Sequence, residues 1–217
     1  SPLISIATAA TPAGTIYYDA TWTVDTSANV VSEFSAVAHG AAAPVGTIAG
    51  ALTALDDPSA VAVASSGRVY VANAGDNTIT EYEAGAHGNV APIAVIGGPN
   101  TGLDAPSSMT IAGDQVWVTN PTTNGGEAFT VNSQGDELPA ASFAGGKTKL
   151  NHPSAISVNG ELGELDVLNT PATGSATITS FDPEAPGDET PDDVTSLAKY
   201  SPTALLSIGF GDDWIVD

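Results

Sequence analysis

Short apolar runs, each stopped by asparagine, aspartate or glycine, alternate with polar turns along the chain. Val69-Tyr70-Val71-Ala72-Asn73 is matched by Val116-Trp117-Val118-Thr119-Asn120, by Leu165-Asp166-Val167-Leu168-Asn169 and by Trp214-Ile215-Val216-Asp217. Such runs are too short for ordinary helices and rich in β-branched and aromatic residues, so each predicts a strand. A second motif precedes them: Thr53-Ala54-Leu55-Asp56-Asp57-Pro58-Ser59 returns as Thr101-Gly102-Leu103-Asp104-Ala105-Pro106-Ser107 and as Thr148-Lys149-Leu150-Asn151-His152-Pro153-Ser154. Its prolines stand 48 and 47 residues apart, Pro202 follows 49 residues later in a weaker copy, and Pro2 lies 56 residues before Pro58. Self-similarity at one period marks a repeat architecture. The units run 2–57, 58–105, 106–152 and 153–201, with a half unit at 202–217, and the extra length of the first is assigned to an insertion at 20–27. No segment keeps an amphipathic helical period over several turns.

Each unit holds four short strands. The first follows the proline, at 3–7, 60–64, 109–112, 155–158 and 204–208, and is small and almost wholly apolar. A glycine turn comes next (Gly14, Gly67, Gly113, Gly163, Gly211), then a second strand ending in Asp19, Asn73, Asn120, Asn169 or Asp217, that of the first unit being read at 16–19. Third strands fall at 30–34, 79–82, 128–131 and 177–181, and fourth strands at 44–49, 92–96, 139–144 and 194–200. Four antiparallel strands joined by tight turns in each unit describe a propeller blade. The expected fold is all-β: a single β-propeller domain over 1–217, with four full four-stranded blades and an incomplete fifth. A β-solenoid would call for shorter rungs and no glycine hairpin between the first two strands.

The stretch Val69-Tyr70-Val71-Ala72-Asn73-Ala74-Gly75-Asp76-Asn77-Thr78-Ile79 resembles the repeats of NHL-type and related YVTN-type β-propellers, whose signature is a VYVA(D/N) strand, a small polar turn and N-x-I. The preceding Pro-x-x-x-(Ile/Phe)-(Ala/Gly)-Gly and Thr-x-Leu-x-x-Pro add to the likeness. It covers nearly the whole chain, most clearly units two and three. The resemblance implies the fold and leaves function open, since such propellers host binding, scaffolding and several chemistries. The strand tally is uneven: five first and second strands, but four third and fourth strands. Because an unpaired edge invites association, three arrangements compete: a fragment of a larger ring, a five-bladed ring with an incomplete last blade, or completion by another chain. The first and last are favoured, which makes the open edge near Asp217 a candidate for self-association or strand completion. The abrupt start at Ser1-Pro2 reads as that of a processed or trimmed chain.

Composition narrows the partners. The chain carries 25 acidic residues against four basic ones (Arg68, Lys147, Lys149, Lys199), for a net charge of −21. Nothing here could displace counterions from a phosphate backbone, so nucleic acid is excluded as a direct ligand, and so is an anionic membrane surface. The absence of cysteine removes disulfides, thiolate metal clusters and cysteine nucleophiles. No apolar run approaches the ~18 residues of a spanning helix, so no membrane insertion is expected. Few lysines and many small polar residues suit an extracellular or cell-surface setting.

In a propeller, the loops from strand two to strand three and from strand four to the next strand one share a face. The repeated Asp19, Asn73, Asn120, Asn169 and Asp217 fall there, with Asp56, Asp57, Asp104, Asn151 and His152. Carboxylates and amides so gathered suit a hard cation such as Ca2+, or sugar hydroxyls. The same residues also close turns onto backbone amides, and recurrence in every unit favours that origin. The binding candidates are Trp22, Asp57, Asn73, Asp104, Asn120, His152 and Asn169; Asp104 and His152 are also the candidate metal ligands, and no catalytic residue is assigned. Trp22 lies in the extra segment of unit one, where an exposed indole could stack on a sugar or anchor a partner. Trp117 and Trp214, on second strands, read as core between blades.

His39 and His87 are 48 residues apart in turns between third and fourth strands and read as a repeat feature of the outer rim. His152 replaces Asp57 and Ala105 and is the one imidazole placed to act as general base or ligand, although no serine–histidine–acid or HExxH spacing accompanies it. The stretch 182–193 holds six carboxylates among three prolines, lacks EF-hand spacing, and predicts a solvated loop between third and fourth strands. No Asn-x-Ser/Thr sequon is present. The expected function is a secreted or cell-surface module that binds protein or glycan or drives assembly. One alternative is a metal-dependent lactonase- or lyase-like enzyme with Asp104, His152 and Asn120 around a divalent cation. The other is a structural subunit of a filament or surface layer.

Overall fold

The computed structural model describes residues 7–8, 20–35, 37–159, 163–184, 186–202, 204–207 and 213–216. Asp19, Gly14, Gly211, Asp217 and most of the strand expected at 3–7 lie outside these residues. All described regular structure is β, so no described helix is long and apolar enough to cross a membrane. Two compact units divide the chain: 1–99 with 132–137, and 100–131 with 138–217.

The first unit contains two four-stranded antiparallel meanders. One is β1 (Ala7–Thr8), β2 (Ala20–Asp25), β3 (Val30–Ser35) and β4 (Gly46–Ala49); the other is β5 (Pro58–Val63), β6 (Val69–Asn73), β7 (Thr78–Tyr82) and β8 (Ala94–Gly97). Every residue of β6 is buried, which explains its unbroken apolar run. In β2 the burial alternates, with Ala20, Trp22 and Val24 inward and Thr21, Thr23 and Asp25 partly exposed. The two sheets share one core, in which Trp22, Val24, Val31 and Ile48 of the first meet Val61, Val69, Val71 and Tyr82 of the second.

The first repeat corrects the sequence reading. The segment assigned to an insertion is β2 itself, which pairs with β3, while 16–19, read as the second strand, lies outside the described residues. The register explains why: Trp22 precedes Asp25 as Tyr70 precedes Asn73 and Trp117 precedes Asn120, so the extra length falls before Ala20. Trp22 is therefore a core side chain, only 4% exposed, and not a surface indole.

The second unit repeats the plan with β9 (Ser108–Ala112), β10 (Gln115–Asn120), β11 (Gly125–Thr130) and β12 (Ala141–Ala144), then β13 (Pro153–Val158), β14 (Leu165–Asn169), β15 (Thr177–Phe181) and β16 (Asp193–Ser196). A two-stranded pair follows, β17 (Ala204–Ser207) and β18 (Asp213–Val216). Trp117, Phe143 and Phe181 stack in sequence with ring centroids 5.5 Å apart, joined by Ile156, Leu165 and Val167. Gly67, Gly113 and Gly163 occupy the predicted hairpin turns, all with positive φ.

The outer edges of β4 and β8 are covered by a recurring clamp. The loop between β7 and β8 lays Gly88 beside β4, its N–H reaching Thr47 O at 2.6 Å while Ala49 N–H reaches Gly88 O at 3.1 Å. Gly135 does the same to β8, bonding Val95 O at 2.7 Å and accepting from Gly97 N–H at 3.1 Å. His87 rides on the first clamp: its ring fills the space over Gly46, and its Nε2 lies 2.7 Å from Glu33 Oε2. All four residues of β16 are exposed, and no described residue clamps its outer edge.

Candidate functional site

Where second strands end, an asparagine amide is used up by its own corner. Asn73, Asn120 and Asn169 are buried, and their Oδ1 atoms accept the backbone N–H of Asp56, Asp104 and Asn151 at 3.2, 3.1 and 3.0 Å. Their Nδ2 groups turn inward: Asn73 donates to Thr80 Oγ1 at 3.3 Å, and Asn169 to Thr179 Oγ1 at 3.1 Å. Around them the Thr-x-Leu-x-x-Pro motif closes on itself. Thr53 and Thr148 hydroxyls donate to Gly50 O and Gly145 O at 2.8 Å and accept the N–H of Leu55 and Leu150.

Residues just before the prolines hold left-handed backbone, with φ of 48° at Asp57, 49° at Ala105 and 56° at His152. The N–H of Asp57 is caught by Asn29 Oδ1 at 2.9 Å and that of His152 by Asn124 Oδ1 at 2.7 Å. These turns thus present the side chains of Asp57 and His152 to solvent, with Asp104 half-buried. Asn120 is not free to join Asp104 and His152 around a cation. No three Asp, Glu or His side chains among the described residues are grouped to hold a metal ion. Of the stretch 182–193, expected as a loop, the described residues up to Asp192 connect β15 to β16 and Asp193 opens β16; Asp188 accepts the N–H of Lys147 at 2.8 Å.

One group escaped the sequence reading. Glu127 on β11 stands opposite Val118, the register position held by Thr80 opposite Val71 and by Thr179 opposite Val167. It is only 8% exposed, and its Oε2 accepts the Nδ2–H of Asn120, as the two threonines accept from their asparagines. Burial pushes its pKa up to about 8, so the carboxyl is largely neutral at pH 7. Room for it comes from Gly102, which has φ of 74° and whose added Cβ would lie 3.2 Å from Glu127 Oε1. The corresponding residues elsewhere are Ala54 and Lys149. Aligning the repeats column by column would have exposed this glutamate–glycine exchange.

No family model matches the sequence, and no curated protein matches it. Solved structures do. A streptogramin B lyase matches at 13% identity and a TM-score of 0.62, over 98% of this chain and 61% of that one. A virginiamycin B lyase from Staphylococcus aureus matches at 15% and 0.61, over 99% and 63%. A chain of the nidogen/laminin complex matches at 14% and 0.66, over 100% and 72%. The chain therefore spans less than two thirds of the lyases it matches. These neighbours are β-propellers, and the fold of this chain is of that kind. At such identities the likeness carries no chemistry.

Proposed function

We propose that the chain is an NHL-type β-propeller working as a protein-binding module, outside the cell or at its surface. In this reading its four sheets are blades and β17–β18 is half of a fifth. The observation that carries it is the outer edge of the fourth sheet. β4 and β8 each receive a glycine clamp on their outward N–H and C=O groups, whereas no described backbone group clamps β12 or β16, and of these two β16 has all four residues exposed. An exposed edge is a template for an added strand. Val194 and Tyr200 stand exposed on and beside it as apolar contacts. The nidogen/laminin neighbour is itself part of a protein complex, which agrees with this reading.

Selection from a displayed random-peptide library tests it. Ser196 stands where Ala49 and Gly97 donate outward to their clamps, so Ser196→Pro removes an outward donor and spares the inward ladder. Peptides selected on the wild type are expected to lose binding to Ser196→Pro. A selection whose binders ignore that change sinks the edge reading.

A second reading, catalysis of the lyase or lactonase kind, is favoured by Glu127 alone: a buried carboxylic acid can hold a proton at neutral pH. In that reading Asp104 and His152 hold a divalent cation near it. Elemental analysis decides: a stoichiometric metal that disappears in His152→Ala supports the enzyme, and metal-free protein removes it.

A further inference from the structure

The repeats place the same outer niche on the second and fourth sheets but fill it with opposite chemistry. On the second sheet Arg68, the only arginine of the chain, sits against two acids. Its Nη1 donates to Glu81 Oε1 at 2.7 Å and to the Asn132 side chain, and its Nε lies 3.8 Å from Glu83 Oε2. Tyr70 donates its hydroxyl to the same Glu81 oxygen at 3.0 Å.

Register carries the residues of the second sheet itself to the fourth, while Asn132, from the repeat that follows, has no counterpart among the described residues. Tyr70 pairs with Glu81 as Asp166 pairs with Ser180, so Glu164 takes the place of Arg68 and Asp182 that of Glu83. The guanidinium has become a carboxylate. The aromatic position, occupied in the other repeats by Trp22, Tyr70, Trp117 and Trp214, has become Asp166. Asp192 and Asp193 also close on the niche. Partial burial first, then the charges of Asp166, Asp192, Asp182 and Asp193, holds Glu164 above the ordinary carboxylate range.

Crowded acids on an acidic protein can be a solvated face and nothing more. Asp166 shows otherwise. It is 1% exposed, its Oδ1 accepts the Ser180 hydroxyl at 2.5 Å, and its buried Oδ2 has no hydrogen-bond partner among the described residues. A buried carboxylate oxygen left unsatisfied is costly, and this one lies beside Glu164 at a place where the second sheet puts a cation.

We propose that this niche receives the guanidinium group of an arginine from a basic partner protein. Arginine suits it by shape as well as charge, because the planar fork can serve Asp166 Oδ2 and a second carboxylate together. The second sheet already shows a guanidinium in the equivalent place. A second copy of this chain is a poor donor: its one arginine is engaged with Glu81, and its net charge is −21. The proposal rests on the protein-binding reading and names the partner's chemistry. The niche adjoins the start of β16, so one partner can use both.

The test uses the full chain, fluorescein-labelled tetra-arginine, and tetra-citrulline as the uncharged isostere. Glu164→Arg rebuilds the internal guanidinium of the second sheet, and Asp114→Arg makes the same charge change at an exposed residue elsewhere. Tetra-arginine is expected to bind the wild type, tenfold or more weaker to Glu164→Arg and to Asp166→Asn, and undiminished to Asp114→Arg; tetra-citrulline is expected not to bind. Glu164→Arg should also raise Tm, a sign that it folds with its niche filled. Equal weakening by Glu164→Arg and Asp114→Arg overturns the proposal as general charge attraction. Displacement of the peptide by CaCl2 at equal charge concentration overturns it in favour of a metal site. Tetra-arginine needs no strand pairing, so its binding is insensitive to Ser196→Pro. Failure of the niche and failure of the edge are thereby told apart.

Discussion

Glu127 makes a quantitative demand on the pH dependence of stability. Its pKa rises from an ordinary 4.5 to about 8 on folding, because burial disfavours the charged form. Between those two values the folded chain keeps a proton that the unfolded chain has released. The stabilisation is fully present below pH 4.5 and is lost as pH rises toward 8, at about 1.4 kcal/mol per pH unit. From pH 5 to pH 7.5 the loss is about 3 kcal/mol, a large part of a domain's net stability. Glu127→Gln keeps the shape and the acceptor for Asn120 but cannot ionise. Urea unfolding of both proteins at half-unit steps from pH 5 to 8 isolates the effect, because the histidines and the other carboxylates titrate alike in each. The variant should match the wild type near pH 5 and exceed it by about 3 kcal/mol at pH 7.5. Parallel stability curves would refute the reasoning, showing that water or a cation keeps Glu127 charged.

Three further outcomes follow from single contacts. Gly102→Ala alone should destabilise, through both positive φ and the crowded Glu127, yet cost markedly less in Glu127→Thr, which recreates the Ala54–Thr80 pairing; a double-mutant cycle in urea should give a coupling of about 1 kcal/mol, and additive effects would deny the contact. Asn73→Ala should cost about 2 kcal/mol in the same assay, since it strips the Asp56 N–H of its acceptor, and a change under about 0.5 kcal/mol would show the corner closing without it. Trp22→Ala should cost about 3–5 kcal/mol as a core deletion, whereas an effect within about 0.5 kcal/mol would return the indole to the surface.

Period and turn chemistry made most of the strands legible in advance. Val69–Asn73, Leu165–Asn169 and Thr177–Phe181 stand where the repeat and the turn residues put them, and nearly every residue of the three is buried. The first repeat misled because its second strand, Ala20–Asp25, alternates threonine with Trp22 and Val24 and looks like a polar insertion. Counting back from Pro58 hid it; counting from Asn73 to Asp25, the polar strand ends, restores the 48-residue step. Asn73, Asn120 and Asn169 were visible as a recurring set, but spacing says nothing about which way an amide turns. Their commitment to backbone N–H groups needed coordinates. The clamps were invisible for a related reason: Gly88 and Gly135 act on the sheet before their own, a contact no local pattern encodes.

In a repeat protein each unit serves as a control for the others, and that decides where chemistry is worth seeking. A polar residue present in every unit is explained by what every unit shares, here the closing of a corner. A polar residue that displaces the common one carries a cost that the fold does not require, since its neighbours show the cheaper solution. Among the described residues the buried carboxyls are Glu81, paired with Arg68 on the second sheet, Glu127 beside Gly102 on the third, and Asp166 beside Glu164 on the fourth. Glu81 has its cation, and Glu127 is met within the chain by Asn120 and a retained proton. At Asp166 an acid takes the place of the arginine that neutralises the same niche on the second sheet, leaving its Oδ2 without a partner among the described residues. The fourth sheet also bears an outer edge that no described residue clamps, so an open backbone ladder and an unpartnered buried oxygen occur on one sheet. A basic segment laid along β16, with an arginine turned toward Asp166, satisfies both at once.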